Sequence, residues 1–490
     1  MALELGPPIH REVRDGVPVF WTPEAPRLVG ALMFRVGCSD ETITTRGITH
    51  IVEHLALYKF GFEPAQEQNG SVDGITTLFW ASGTPQQVVA FLQQVCSSLA
   101  GLPLDRLEAE GRVLRTEASA HQIGFIERSL WCRFGARGLG LWNLPEFMLG
   151  APDPLVVRNW AAERFTAENA VAWFSGPMPE DLRFDALPRG RRIPVVDAPP
   201  IPGLRTPSYL PDSGAGIGVS FLTEREDWFS FPLWVARTRL MQRLRYRDGL
   251  TYAVEGALRH ISARQTHSAI TAGCLHEHAA AVQEGLLEVL EDLARDGPTA
   301  DEIGLARGIW IERAGQRETT FEDLDGAATN ELLGWPQRTS QEHLDDFDQR
   351  PRERWAAAAQ AALRSAILFL PPDCAPVRTD LTPYPLWSDT LASGRRYRAV
   401  SQRFPWSKKQ PVLIVGRSGV SMVLPTGKAI TVSYDTCAGA VLHADGTLQI
   451  FDEGGFALAI AAREWCDGEH ARSEALRALP LERVIELPKR

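Results

Sequence analysis

The apolar and polar positions of this chain fall into three differently patterned blocks. In the first, an apolar run from Val29 to Val36 predicts a strand, and apolar residues at helical spacing over Gln86–Leu99 predict an amphipathic helix. The second block repeats this order, with a strand-like run at Ile217–Leu222 and a long amphipathic pattern at Ala279–Leu293. One α+β unit is therefore used twice, without obvious sequence identity. The third block predicts short strands at Val412–Val415, Val420–Leu424, Ala429–Ser433 and Leu448–Phe451, with a hairpin signal at Asp445-Gly446. A last helix is expected near Glu469–Leu479, stopped by Pro480.

Two proline-rich stretches separate the blocks. One runs from Pro188 to Pro207; the other starts at Pro371-Pro372 and continues through Pro376, Pro383 and Pro385. Proline lacks a backbone donor and biases its predecessor away from helix, so both read as extended connections. The expected layout is 1–187, a linker at 188–207, 208–372, a Pro-rich then basic linker at 373–410, and 411–490. The expected fold class is α+β: two related α/β-sandwich units and a small, mainly β C-terminal domain.

Composition narrows the function classes. Lys+Arg is 51 and Asp+Glu is 61 in 490 residues, a net charge of −10, which disfavours a general nucleic-acid binder. No run of 18 apolar residues predicts a membrane span, and the N-terminus lacks the basic start and apolar stretch of a signal peptide. The seven cysteines are scattered, odd in number and without a C-x-x-C, as expected of free thiols in a reducing, cytoplasmic setting.

The sharpest chemical feature is His50-Ile51-Val52-Glu53-His54. On a helix, His50 and His54 project from one face a turn apart, a separation that lets both imidazoles bind one Zn²⁺. Glu53 is placed to act on a metal-bound water. A catalytic zinc needs a third protein ligand, and Leu104–Ala120 can supply it. This stretch reads as a helix with Glu110 and Glu117 two turns apart on one face, although two such glutamates alone describe a solvated surface.

Together these residues resemble the pitrilysin/insulinase-type peptidases, whose inverted H-x-x-E-H motif is followed by a helix with two glutamates seven apart. The resemblance implies that His50, His54 and Glu117 hold one Zn²⁺ per chain, with Glu53 as general base and Glu110 orienting the site. Asn69, Thr77, Phe79 and Trp80 resemble that family's substrate-binding edge strand. A second match lies in Leu244–Val254, where Arg245 and Tyr252 resemble the family's Arg–Tyr signature. The implied roles are contact with the substrate backbone and stabilisation of the tetrahedral intermediate. The resemblance covers about residues 8–372.

The function so implied is a zinc endopeptidase that hydrolyses short or unfolded peptides inside a dimer chamber. The family builds such a chamber from four α+β units and this chain has two. The implied partner is a second copy or a related peptidase-like chain, with Arg245 and Tyr252 facing the partner's metal. The competing expectation is a non-catalytic structural or partner subunit of a heterodimeric peptidase-like complex.

Weaker signals are weighed beside these. Cys274, His276 and His278 alternate and would share one face of a strand, without a fourth ligand at a persuasive spacing. His121 follows Glu117 by four and reads as a surface or neighbouring histidine. The stretch 391–410 carries Arg395, Arg396, Arg398, Arg403, Lys408 and Lys409 and no acid, which reads as a solvated linker in preference to a contact with anionic lipid or an acidic partner. The last block vaguely resembles a pleckstrin-homology-like fold, with no motif to support lipid binding.

Overall fold

The structure, a computed structural model, describes residues 5–23, 27–59, 67–120, 123–214, 216–228, 230–314, 316–400 and 410–488. It is a mixed α/β fold with several sheets. The first sheet comprises β1 (His10–Arg14), β2 (Val17–Trp21), β3 (Leu28–Phe34), β4 (Glu67–Val72), β5 (Thr77–Gly83) and β6 (Ala170–Phe174), in the order β1-β2-β6-β3-β5-β4. The second comprises β7 (Ser208–Pro211), β8 (Ile217–Glu224), β9 (Val254–His260), β10 (Gln265–Ala272), β11 (Ile367–Leu370) and β12 (Thr382–Pro383), in the order β12-β7-β11-β8-β10-β9. The parallel pair β2/β6 has its counterpart in β7/β11, and the antiparallel run β6-β3-β5-β4 has its counterpart in β11-β8-β10-β9. The repeat read from the pattern is thus a repeat of topology.

Among the described residues, five helices belong to the first unit: α1 (Ile48–Leu57), α2 (Pro85–Ala100), α3 (Leu107–Ala120), α4 (Phe125–Phe134) and α5 (Pro154–Arg164). Six follow in the second: α6 (Ser230–Leu240), α7 (Ala279–Asp296), α8 (Ala300–Arg313), α9 (Arg317–Leu333), α10 (Ser340–Gln349) and α11 (Arg352–Arg364). Helix α3 begins three residues later than expected, because Leu104–Arg106 forms a 3-10 turn after Pro103. Among the described residues no single helix is long and apolar enough to cross a membrane.

The unbroken apolarity of β3 has a tertiary cause. Leu28, Leu32 and Phe34 face a core shared with α1 and α2, whereas Val29, Ala31 and Met33 face a second cluster containing Leu324, Ala328 and Leu332 of α9. A helix of the second unit therefore covers the outer face of the first sheet. Arg133 of α4 adds a polar tie between the units. Its buried guanidinium donates to Ser220 O at 2.6 Å and to Ser365 O at 2.9 Å. Among the described residues no carboxylate pairs with it, and burial lowers its pKa to about 9.

Among its described residues, the third block contains two four-stranded sheets and a helix. One sheet orders β13 (Gly394–Arg398), β14 (Val412–Gly416), β15 (Gly419–Val423) and β16 (Ala429–Ser433) in sequence. The other has the order β19-β18-β17-β20, from β17 (Cys437–Leu442), β18 (Leu448–Asp452), β19 (Ala457–Ile460) and β20 (Val484–Glu486). Helix α12 (Gly468–Ala478) ends just before Pro480, and Gly446 takes the positive φ that the β17–β18 turn requires.

Part of the stretch expected as linker is paired structure. Thr382–Pro383 runs parallel to β7, and Gly394–Arg398 is antiparallel to β14. Tyr397 is buried there while Arg395, Arg396 and Arg398 stay exposed. Arg403, Lys408 and Lys409 lie outside the described residues. The block is also no free appendage: Val441, Phe451 and Ile485 belong to the first unit's core.

Candidate metal centre

Helix α1 carries the chemistry, and its start is held by a buried network. Glu41 accepts hydrogen bonds from the backbone N–H groups of Gly47 at 2.9 Å and Thr49 at 3.0 Å, satisfying donors a helix start leaves open. Arg46 pairs with the same carboxylate at 2.9 Å. Burial raises Glu41, with Arg46 and the two backbone donors opposing. Ile48, Ile51, Val52 and Leu55 bury one face of α1 in the core. The helix is thereby fixed in rotation, and His50 and His54 sit half-buried on the other side with ring centroids 5.1 Å apart.

Ligand atoms of His50, Glu53 and His54 all lie within 4.8 Å of one another. Helix α3 brings Glu117 to the same place. Its carboxylate is 4.0 Å from His50 Nε2 and 3.7 Å from His54 Nε2. Two ligands about 2.1 Å from a tetrahedral zinc stand about 3.4 Å apart, so this donor set fits the ion with a small contraction. Glu53 also comes within 3.7 Å of His54 Nε2. Glu117 is the carboxylate that approaches both Nε2 atoms, and with 58% of its side chain exposed it is free to adjust.

The opposite ring nitrogens face carboxylates too. Glu110, on the buried side of α3, lies 3.6 Å from His54 Nδ1, and Arg106 donates to it at 3.3 Å. Glu146, from a loop 96 residues beyond His50, holds His50 Nδ1 at 3.1 Å. Sequence reading missed Glu146: a single acid in a Pro-containing loop has no periodicity and no fixed spacing to the motif. It also missed Glu41 and Arg46, which flank the motif but act through burial.

The charges shape one another. Burial alone would lower His50, but the hydrogen bond and charge of Glu146 prevail and raise it. Burial and the neighbouring His50 lower His54, against Glu117 and Glu110. Burial pushes Glu53 up to about 7, against the attraction of His50. Burial favours raising Glu146, yet its hydrogen bond to His50 and the attraction of His50 and Arg46 lower it.

The edge strand and the second motif are placed as follows. Asn69 is exposed on edge strand β4, opposite Trp80. Thr77 and Phe79 are fully buried, with the Thr77 hydroxyl donating to Val36 O at 2.8 Å, so both hold the sheet together. Arg245 lies in a π-helical turn, Met241–Arg247, that continues α6, and its guanidinium covers the Tyr252 ring at 4.7 Å. Tyr252 is 81% exposed. Among the described residues neither forms a hydrogen bond or ion pair with the His50–His54 cluster. Cys274, His276 and His278 do not share a strand face: β10 ends at Ala272, and His276–His278 is a 3-10 turn leading into α7. His121 lies outside the described residues.

Comparison with known proteins agrees with this architecture. Residues 222–309 match the family model described as the peptidase M16 inactive domain. No curated protein matches the chain. A peptidase M16 inactive domain from Pseudomonas fluorescens has 14% identity and a TM-score of 0.60, over 76% of this chain and all of the other. The first half of the periplasmic protease PqqL from Escherichia coli has 14% identity and a TM-score of 0.58, over 76% of this chain and 94% of the other. The ferredoxin protease FusC, in complex with Arabidopsis ferredoxin, has 14% identity and a TM-score of 0.55, over 87% of this chain and 56% of the other. At such identities the likeness concerns the fold: a peptidase-like, M16-type architecture. The comparisons add no support for a pleckstrin-homology-like C-terminal block.

Proposed function

We propose that this chain is a zinc endopeptidase acting on short or unfolded peptides as half of a dimeric, peptidase-like assembly. The observation that carries the reading is the convergence of His50 Nε2, His54 Nε2 and the Glu117 carboxylate, with Glu53 beside them. His50, His54 and Glu117 would hold the ion, one per chain. When bound, zinc supplies Lewis acidity and an activated water at neutral pH. Glu53 takes the proton of the attacking water and returns it to the leaving amine. Edge strand β4, with Asn69, receives an extended peptide by backbone pairing, a mode whose consequence is loose side-chain selectivity. Half-buried Arg245 and exposed Tyr252, which make none of the cluster's contacts, serve the partner's centre, where Tyr252 stabilises the oxyanion.

A second reading has its own support. The matched family description is of an inactive domain, and solved relatives include peptidase halves and complexes. On that reading the chain is a non-catalytic structural or partner subunit. The matched residues 222–309 exclude the block that carries His50, so the description bears on the second unit. Metal content and cleavage of a mixed peptide library, with and without chelator, separate the two. The first reading requires about one zinc per chain and chelator-sensitive cleavage, both lost in a His50→Ala/His54→Ala double variant. Zinc-free, inert protein would establish the second reading.

A further inference from the structure

Among the described residues, Glu146 is the one carboxylate at the centre that neither the motif nor helix α3 supplies. Its oxygens stand 3.1 and 3.2 Å from His50 Nδ1. An ionised carboxylate can only accept, so this contact favours the His50 tautomer with its proton on Nδ1. With Nδ1–H donated to Glu146, Nε2 keeps its lone pair free, 4.0 Å from the Glu117 carboxylate.

The loop that bears Glu146 is clamped on three sides. Met148 N–H donates to Arg46 O at 3.0 Å, directly before α1, and the Arg46 guanidinium lies 3.4 Å from the Glu146 carboxylate. Arg115 of α3 donates to Leu149 O. The third side is the C-terminal block. The Phe147 ring packs on Phe451 at 5.8 Å and on His443 at 6.5 Å between centroids. On the same face Gly439 of β17 lies so close to Ile43 that a Cβ there would sit 2.5 Å from that side chain. Glu146 points into the metal centre while its neighbour Phe147 is seated among residues about 300 positions later in the chain.

We infer that Glu146 is a positioning residue for His50, and that the C-terminal block holds it in place through Phe147. The block is then a working part of the metal centre. This rests on the reading of His50 as a metal ligand. Removing Glu146 leaves Arg46 paired with Glu41 at 2.9 Å, so the start of α1 keeps its support.

The test is zinc affinity of the full chain by competition with a chromophoric chelator, with thermal unfolding of the metal-free proteins alongside. Glu146→Ala should weaken zinc binding about 10- to 100-fold, the usual loss when a partner of a ligating histidine is removed. Glu146→Gln keeps an acceptor for Nδ1–H and should recover most of that loss, which a purely structural role would not predict. Phe147→Ala should weaken zinc binding in the wild-type background and add nothing in the Glu146→Ala background. Phe147→Leu repeats this arm should the alanine variant fail to fold. Unchanged affinity in Glu146→Ala, or an equal loss from Phe147 truncation in both backgrounds, overturns the inference while leaving the zinc reading intact. A wild-type chain that takes no zinc overturns both.

Discussion

The carboxylate of Glu53 occupies the space that a side chain at position 70 would need. A Cβ built on Gly70 overlaps Glu53 Oε1 and lies 2.9 Å from Leu57. Edge strand β4 and helix α1 therefore meet at a glycine, and the proposed base sits directly behind the strand proposed to receive the peptide. Gly70→Ala should displace Glu53 without touching His50, His54 or Glu117. The expected result is zinc content near wild type with cleavage reduced at least as far as in Glu53→Gln. Full activity in Gly70→Ala would separate Glu53 from the chemistry.

The division of labour between copies has a direct assay. Glu53→Gln and Tyr252→Phe should each retain zinc and lose turnover. After subunit exchange, half of the dimers are mixed and each holds one intact composite site, so activity should return to about a quarter of wild type. No recovery despite demonstrated exchange would place both residues' action within a single chain.

The C-terminal block is expected to be inseparable from the first unit. Phe451 is buried in the first unit's core beside Phe147. Phe451→Ala should cost about 3–5 kcal/mol, the range for truncating a buried phenylalanine. Denaturant unfolding would read this as a lower midpoint for the transition of the metal-binding unit. A midpoint shift confined to a separate transition of the C-terminal block would show two independent bodies.

His260 makes acid stability testable away from the metal. Burial, reinforced by Arg225, lowers its pKa from the ordinary 6.5 to about 4. The folded state thus binds this proton less readily than the unfolded chain. Its contribution is fully present above pH 6.5 and is lost as the pH falls from 6.5 toward 4. That loss amounts to at most about 3 kcal/mol. His260→Gln should flatten the fall in melting temperature over this window, and an unaltered profile would exclude His260 as a contributor.

Much of the site was legible because it is local. His50, Glu53 and His54 are three positions of one helix, and Glu110 and Glu117 are two positions of another, so periodicity alone puts each set on one face. The partners that orient the site were not legible. Glu146 reaches His50 from a loop, Gly70 makes room from a neighbouring strand, and Glu41 caps α1 from outside the helix. None of these relations has a fixed spacing along the chain. The misplaced Cys274–His278 strand has a similar cause: alternation of residue types suits a strand, but the backbone turns to begin α7.

The amino-acid sequence by itself determined the repeated α+β pattern, the main helices, the short strands of the last block and the identity of the candidate ligands. These follow from side-chain periodicity and from turn and cap residues, which act within a few positions. Only the tertiary structure decided what covers what. It put α9 of the second unit on the first sheet, seated Phe451 and Ile485 in the first unit's core, and brought Glu146 to His50. The physical reason is that an apolar face specifies burial without naming its partner, whereas the partner is chosen by the packing of the whole chain.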